Sequence, residues 1–441
     1  MTLALQSENN IWPLWKKILF RFFFIYLILR AAPWMLFNNI PGVYAVTKYY
    51  NKFIDRIIRA SNTYIFHVSK VLIKTQGTSD ASWNWAQFYL YLCIAVTGCI
   101  IWSLIEHRKT NYVKLNYWLC LIVRYYLVFL SFYYGFAKIY LQQMPYPSQS
   151  QMATPVGDLL PMRLAWVFMG YSKGYEMFAG FMEVVVGILL LYRRTTTLGV
   201  LLAVAVYSNV VMINLNYDVP VKLFSINILV FCLFLLANEL NRILCFFVWN
   251  KPAPVSNLYN YSYPKKWMRN AAYILKMLFI ISAFVIPVLN HGEIRYAYHP
   301  PVSSKSNPIR PGFYDVTLYK INNDTISPQD SMRWQNVIFE NGAQTGSIKT
   351  ADTIFRQRYR RGYFRFVADT SQHTIMFGKL PTDSAMRTDV VLFMHYKIPN
   401  DSIIQLSGKE NNDSLFIVLQ RTNYHFPLAE KQFHWLSNYN R

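Results

Sequence analysis

The chain is poor in the residues and motifs that soluble enzymes use for covalent, metal or nucleotide chemistry. Of its 441 residues five are cysteines, and none follows Cys245. It has no Cys-x-x-Cys, His-Glu-x-x-His, Gly-x-Ser-x-Gly or Gly-x-x-x-x-Gly-Lys-Ser/Thr motif. We therefore expect no metal site, no phosphate-binding loop and no disulfide in residues 291–441.

Acidic residues are half as frequent as basic ones, at 22 Asp and Glu against 44 Lys and Arg. Residues 1–290 hold 26 basic and 9 acidic residues (+17), whereas 291–441 hold 18 and 13 (+5). The basic excess thus belongs to the more hydrophobic part, where loop charges orient helices and contact anionic lipid. We expect membrane lipid as a partner and no nucleic acid.

Long apolar runs dominate the first two thirds of the chain, and 54% of all residues are hydrophobic. Seven runs are long enough to cross about 30 Å of hydrocarbon as helices. They lie near 17–36, 86–105, 116–140, 173–192, 197–216, 221–240 and 271–290. None of the eight histidines lies in a predicted span, which excludes haem held between two helix histidines.

Loop charges predict the orientation of this all-α bundle. Basic residues concentrate at the N-terminus and in every second loop, which places the N-terminus in the cytoplasm and the C-terminus outside. The loop 37–85 is an exception, because it is predicted outside and yet holds six Lys and Arg. Within it, Val46 to Lys74 has helical amphipathic spacing, which fits either an interfacial helix or one packed across the bundle mouth.

Two segments outside the spans have their own character. Leu159 to Tyr171 is too apolar for a free loop and predicts a re-entrant or interfacial helix that caps the bundle. After the membrane domain 1–290, a Pro- and Ser-rich linker 291–312 leads to seven short strand-like runs separated by turn residues. Residues 313–441 therefore predict an antiparallel all-β barrel or sandwich on the outer side of the membrane.

Polar side chains inside the apolar segments are the candidate site. Those in the outer half of the bundle are Lys138, Glu183, Asn209, Asn214, Asp218 and Lys222. A charge at this depth costs at least about 2.5–3.5 kcal/mol, so it usually has a partner or a function. The group is either a network that fixes helix register or a pocket for a quinone, a proton or a lipid headgroup. Arg124, nearer the cytoplasmic side, is a candidate for a lipid phosphate or a backbone carbonyl.

Several of these residues belong to a pattern that resembles bacterial DoxX-like membrane proteins, in the longer form with a C-terminal extension. The matching positions are Tyr134-Gly-Phe-Ala-Lys138, Gly157-Asp158, Pro161-Met162, Trp166, Met169-Gly-Tyr-Ser172, Gly180, Glu183, Arg193-Arg-Thr-Thr-Thr-Leu-Gly199, Asn214 and Tyr217-Asp-Val-Pro-Val-Lys-Leu223. The extension matches loosely at Phe433-His434-Trp435 and Asn440-Arg441. The resemblance implies a four-helix core over about 75–240 in the bacterial inner membrane and a link to quinol or thiol redox. It carries over no catalytic residue.

Three functions remain open at this point. The first is an accessory, non-catalytic inner-membrane protein that binds a quinone or lipid headgroup and works beside a quinol oxidase or another membrane protein. The second is a membrane enzyme that acts on a quinol, with an architecture like that of vitamin-K-dependent carboxylases and Lys138 or Lys222 as the base. The third is a transporter or scaffold whose β-domain binds a partner.

Overall fold

The computed structural model describes residues 11–33, 43–75, 77–253, 263, 265–285, 287–289, 308–341, 344–379, 390–410 and 413–430. Two units are distinguished by their internal contacts. The first contains Met1–Gln143 and Gly174–Gly292, and the second contains Met144–Lys173 and Glu293–Arg441. Most of the predicted linker 291–312 and the tail 431–441 lie outside the described residues.

The helices are, in chain order, α1 (Leu14–Ala31), α2 (Val43–Ser61), α3 (Ser82–Ile105), α4 (Val113–Ile139), α5 (Gln149–Met152), α6 (Pro161–Tyr171), α7 (Lys173–Leu191), α8 (Thr196–Asn216), α9 (Lys222–Phe247), α10 (Lys266–Ile280) and α11 (Pro427–Glu430). One π-helical turn, Asn62–Phe66, follows α2, and another, Ile281–Val285, follows α10. The first unit is all-helical, as the sequence predicts.

Six helical segments among the described residues are long and apolar enough to cross a bilayer. They are Ser82–Ile105, Val113–Ile139, Lys173–Leu191, Arg193–Asn216, Lys222–Phe247 and Lys266–Leu289. Apolar side chains such as Leu104 and Ile105, which are 73% and 77% exposed, require lipid around these helices. The chain is therefore a multi-pass membrane protein in contact with lipid.

The seventh predicted span, 17–36, corresponds to α1, whose residues 14–31 are described, whereas 34–36 are not. This helix carries four basic residues, Lys16, Lys17, Arg21 and Arg30, which set it apart from the six apolar segments. Its buried face, which includes Phe20 and Leu27, packs against α3 and α4. It is a mostly apolar helix of the bundle with four basic residues.

Helix α4 lies at the centre of the bundle, where it packs against α1 and α9. Leu119, Val123 and Leu127 are fully buried at four-residue intervals, so one complete face is enclosed by neighbouring helices. Further along α4 the same interior contains Ser131 and Lys138. The central position of this helix thus places polar groups inside the core.

The second unit contains a closed antiparallel barrel, which confirms the predicted all-β domain. The strands are β1 (Gly312–Ile321), β2 (Asp324–Thr325), β3 (Asn336–Phe339), β4 (Thr345–Lys349), β5 (Arg356–Arg358), β6 (Arg361–Asp369), β7 (Thr374–Lys379), β8 (Val390–Asn400), β9 (Ile403–Glu410) and β10 (Asp413–Thr422). Eight of them form the ring β1-β3-β4-β6-β7-β8-β9-β10, closed by pairing of β10 with β1. The pairing leaves no open edge in the ring.

The barrel interior is filled by aromatic and branched side chains. In β8 the residues Leu392, Met394 and Tyr396 alternate inward with exposed neighbours, as the period of a strand requires. Trp334 and Phe364 are almost completely buried in the same core. A packed interior of this kind makes the barrel a rigid module rather than a pore.

The segment 144–173 between α4 and α7 folds with the barrel, and the helix predicted within Leu159–Tyr171 is α6. The carboxylate of Glu340 accepts the backbone N–H groups of Gln149 at 3.1 Å and Ser150 at 2.9 Å. Beside them, the Ser347 hydroxyl donates to Ser150 Oγ at 2.7 Å. The Glu340 carboxylate lies at the N-terminus of α5, where a negative charge is favourable. These polar contacts hold the segment to the barrel.

Candidate functional site

The bundle interior holds an ion pair between Lys138 of α4 and Glu183 of α7. The Lys138 Nζ lies 2.7 Å from Glu183 Oε1 and 2.9 Å from Oε2. The two side chains are only 7% and 3% exposed. The Lys138 ammonium contacts both carboxylate oxygens, and the two opposite charges offset each other. A paired charge costs less to bury in an apolar core than an unpaired one.

Two glycines let the helices that carry this pair approach each other closely. A Cβ atom at Gly180 would lie 2.5 Å from the carbonyl oxygen of Gly135 and 2.7 Å from Lys138 Cβ. A Cβ at Gly135 would lie 2.8 Å from a methyl group of Val184. Small residues of this kind allow membrane helices to pack backbone to backbone. Lys138 follows Gly135, and Glu183 follows Gly180, each by about one helical turn. The close contact of the glycines therefore places Lys138 beside Glu183.

Hydroxyl groups continue the polar surface along α4. The Ser131 and Tyr207 hydroxyls are 2.8 Å apart and buried, and Tyr207 belongs to α8. The ring centroid of Tyr134 lies 5.9 Å from the Lys138 ammonium. Ser131, Gly135 and Lys138 are spaced at about one helical turn, so they share a face. The interior therefore offers ammonium, carboxylate and hydroxyl groups along one polar stripe.

Asp218 and Lys222, which the sequence grouped with Glu183, form a separate pair at the start of α9. Their ion pair measures 2.7 Å, and Asp218 is 80% exposed. The described residues show no hydrogen bond or ion pair between these two and either Lys138 or Glu183. The six predicted site residues thus do not form one bonded cluster.

Asp80, which sequence reasoning missed, is the main partner of this second pair. Its carboxylate accepts the backbone N–H groups of Lys222 at 3.1 Å and Leu223 at 3.0 Å. The Lys222 ammonium lies 3.4 Å from the same carboxylate. A carboxylate at a helix N-terminus satisfies free N–H groups and the helix dipole. Asp80 therefore caps α9, although it lies 142 residues before Lys222.

The remaining predicted residues have different surroundings. Asn209 is exposed on α8, whereas Asn214 is buried on the same helix and its carbonyl accepts the N–H of Val219. Arg124 lies 3.4 Å from the hydroxyl of Thr196, and its Nε is buried without a hydrogen-bond partner. No direct contact joins Asn209 or Arg124 to the Lys138–Glu183 pair among the described bonds.

Two further charged groups stabilise the bundle. Arg21 of α1 is 2% exposed and donates to Tyr112 Oη at 2.7 Å and Ser103 Oγ at 2.9 Å. The hydrogen bond from Trp102 is the main cause that keeps the pKa of Glu106 below its ordinary value, and a hydrogen bond from Tyr112 adds to it.

Glu239 is also buried, and it pairs with Arg242 at 2.6 Å. The i,i+3 spacing of these two residues was the signal available in the sequence.

The Lys138–Glu183 centre can hold a proton between two groups and can donate hydrogen bonds to an oxygen-bearing ring. The described residues contain no group of three or more His, Cys, Asp and Glu side chains that could hold a metal ion.

Part of the chain is similar to a known bacterial protein. A Bacillus subtilis (strain 168) protein described as "Uncharacterized protein YwoB" is 37% identical over 114 residues, which cover 26% of this chain and 71% of that protein. No family model matches the chain. No solved structure matches it either.

Proposed function

The chain belongs to the same family as YwoB of Bacillus subtilis, and we propose that it is an accessory protein of quinol-linked redox in the bacterial inner membrane. It binds the polar ring of a quinone beside Lys138 and Glu183. The resemblance to DoxX-like proteins supports this assignment, and a quinol oxidase or another membrane complex is the partner that it implies. No residue is assigned a catalytic role.

The observation that carries the proposal is the burial of Lys138 and Glu183 in the bundle. An ion pair in such a place contributes little stability compared with well-packed apolar side chains. Ionisable residues at membrane depth are therefore better explained by a ligand or proton path than by stability alone. A quinone carbonyl oxygen accepts hydrogen bonds, and the Lys138 ammonium and the Tyr207 hydroxyl are donors on the same stripe.

The number of spans supports the proposed orientation. Four predicted crossings, those of α7, α8, α9 and Lys266–Leu289, separate the segment 144–173 from the barrel. An even number returns the chain to the side from which it started, which agrees with a single unit containing both. The intervening loop with Arg193 and Arg194 is basic, so the positive-inside rule puts it in the cytoplasm and the barrel in the periplasm.

Quinone retention by the purified full chain tests the proposal. We expect the wild-type protein in quinone-doped nanodiscs to retain quinone, and Lys138→Met and Glu183→Gln to lose it. Lys222→Gln is the matched control, because that ammonium belongs to the α9 cap. Retention by both bundle variants, or by no protein including the wild type, would contradict the assignment.

A further inference from the structure

A cavity of about 130 Å³ lies away from the Lys138–Glu183 pair, between α1, α2 and α3. Arg30 of α1, Tyr50 of α2 and Gln87 of α3 line it together with Lys74 and Trp83. Pockets that enclose a whole drug-sized ligand have volumes of roughly 300–1,000 Å³. This cavity is therefore suited to a small polar group rather than to a complete amphiphile.

The wall of the cavity is held by a chain of polar contacts. The indole N–H of Trp83 donates to Asp55 Oδ1 at 2.6 Å, and Asp55 Oδ2 accepts from Arg59 at 2.8 Å. The Lys74 ammonium lies 4.2 Å from the Trp83 ring centroid. Asp55 does not line the cavity; its carboxylate is bonded to Arg59 and Trp83 and attracts the Lys74 ammonium from outside the lining.

The charged groups that line the cavity are both cations, Arg30 and Lys74. Arg30 is half-buried and forms no hydrogen bond or ion pair within the part of the chain that the structure describes. An unpaired guanidinium facing a partly enclosed space favours an anion with several acceptor oxygens. Phosphate satisfies that requirement best, since its oxygens match the planar fork of arginine.

Apolar side chains surround the same region and place it at a membrane surface. Tyr49 and Phe53 of α2 are 74% and 61% exposed, and Ile65 and Val71 after it are 68% and 69% exposed. An amphipathic helix with such a face lies along the boundary between lipid and water. Phosphates of lipid headgroups are concentrated at that depth.

We propose that this cavity binds a phosphate group, which Arg30 and Lys74 hold by charge-assisted hydrogen bonds. Either a phospholipid headgroup or a free phosphate supplies the same chemistry. The site is independent of the quinone site, since none of its lining residues belongs to α4, α7 or α8.

The test measures binding to the full chain in neutral nanodiscs, with phosphatidylglycerol in one arm and inorganic phosphate in the other. We expect Arg30→Gln to weaken binding at least about tenfold, the equivalent of one charge-assisted hydrogen bond. Arg56→Gln, which removes an exposed arginine from α2 outside the cavity, is the control and should bind as the wild type does. Saturation that depends on Arg30 in either arm supports the proposal and identifies the source of the phosphate.

A second variant keeps the test valid if Arg30→Gln fails to fold. Arg30→Lys retains the charge but loses the fork, so we expect intermediate binding with an unchanged melting temperature. Equal binding by wild type, Arg30→Gln and Arg30→Lys would overturn the proposal. An equal loss in Arg56→Gln would also overturn it, because binding would then reflect only the general surface charge.

Discussion

The carboxylate of Glu340 in the barrel accepts the backbone N–H of Ser150 at 2.9 Å. Ser150 belongs to the segment that joins α4 to α7, and these helices carry Lys138 and Glu183. The barrel thereby holds the segment 144–173, which is continuous in the chain with both helices.

Removal of this acceptor should release the segment 144–173. We expect Glu340→Ala to lower the stability of the barrel unit by about 1.5–3 kcal/mol, since two part-buried N–H groups lose a charged acceptor. Limited proteolysis should then cut the segment faster than in the wild type. Asp401→Asn, in an exposed pair with Arg310, should change neither measurement. Unchanged proteolysis of Glu340→Ala would contradict the docking.

Close packing of α4 and α7 should make Gly180 intolerant of a methyl group. A Cβ there would lie 2.5 Å from the Gly135 carbonyl oxygen, so we expect Gly180→Ala to cost about 1–3 kcal/mol of unfolding free energy. Gly174→Ala in the first turn of the same helix meets no atom within 4 Å and should be neutral or slightly stabilising. Thermal unfolding in detergent compares them, and equal melting temperatures would count against the packing.

The ion pair should respond very differently to single and double replacement. Lys138→Met or Glu183→Leu alone leaves a buried charge without its partner, which costs about 3–5 kcal/mol. The double variant removes both charges and should recover most of that loss. A double-mutant cycle of unfolding free energies measures the recovery. Strict additivity of the two losses would show that the charges do not interact.

The cap of α9 offers a test of Asp80. Asp80→Ala removes the acceptor of two backbone N–H groups, and we expect a loss of about 0.5–2 kcal/mol. Asp218→Ala should cost far less, because that carboxylate is 80% exposed and its pair with Lys222 is screened by water. Chemical denaturation of both variants decides the matter. A larger loss of stability in Asp218→Ala than in Asp80→Ala would show that Asp80 is not the cap of α9.

Glu410 of β9 should make the barrel less stable as the pH rises. Burial, reinforced by the negative charges of Asp352 and Asp413, raises the pKa of this carboxyl above its ordinary value of 4.5. The folded state therefore disfavours the ionised form of Glu410. The resulting loss of stability is complete at a pH above the raised pKa and absent at a pH below 4.5. Glu410→Gln should stabilise the protein at pH 7 by less than about 1 kcal/mol, since the group is partly exposed. An equal gain at pH 4 would contradict this origin.

Periodicity in the sequence predicted most elements of the fold. Each of the seven predicted strand runs overlaps a strand, and the apolar runs correspond to helices. Strand β4 was missed because Gly346 and Ser347 lack strand-forming side chains, yet Gly346 is required where a Cβ would lie 2.2 Å from the Ile338 carbonyl oxygen. Strand β5 lies outside the predicted runs because Arg356, Gln357 and Arg358 show no alternation of apolar and polar residues. Such elements depend on contacts with distant residues.

The candidate site was only partly predictable for a similar reason. Lys138 and Glu183 stood out because charges interrupt apolar runs, and the structure joins them. Asp80 gave no comparable signal, because it lies in a polar loop and meets Lys222 only after folding. Asn209 was grouped with the site by its depth in the predicted span, but it is exposed on α8. Depth along a helix could be calculated from the sequence, whereas rotation about its axis could not.

Photolabelling with a quinone that carries a photoreactive group tests the central claim most directly. The full chain in lipid nanodiscs would be irradiated, digested and mapped by mass spectrometry, with excess unlabelled quinone as competitor. The account predicts competed labels on α4 near Tyr134–Lys138 and on α7 near Gly180–Glu183, and their loss from the double Lys138→Met, Glu183→Leu variant. Labels confined to other helices, or labels that survive in the double variant, would contradict it.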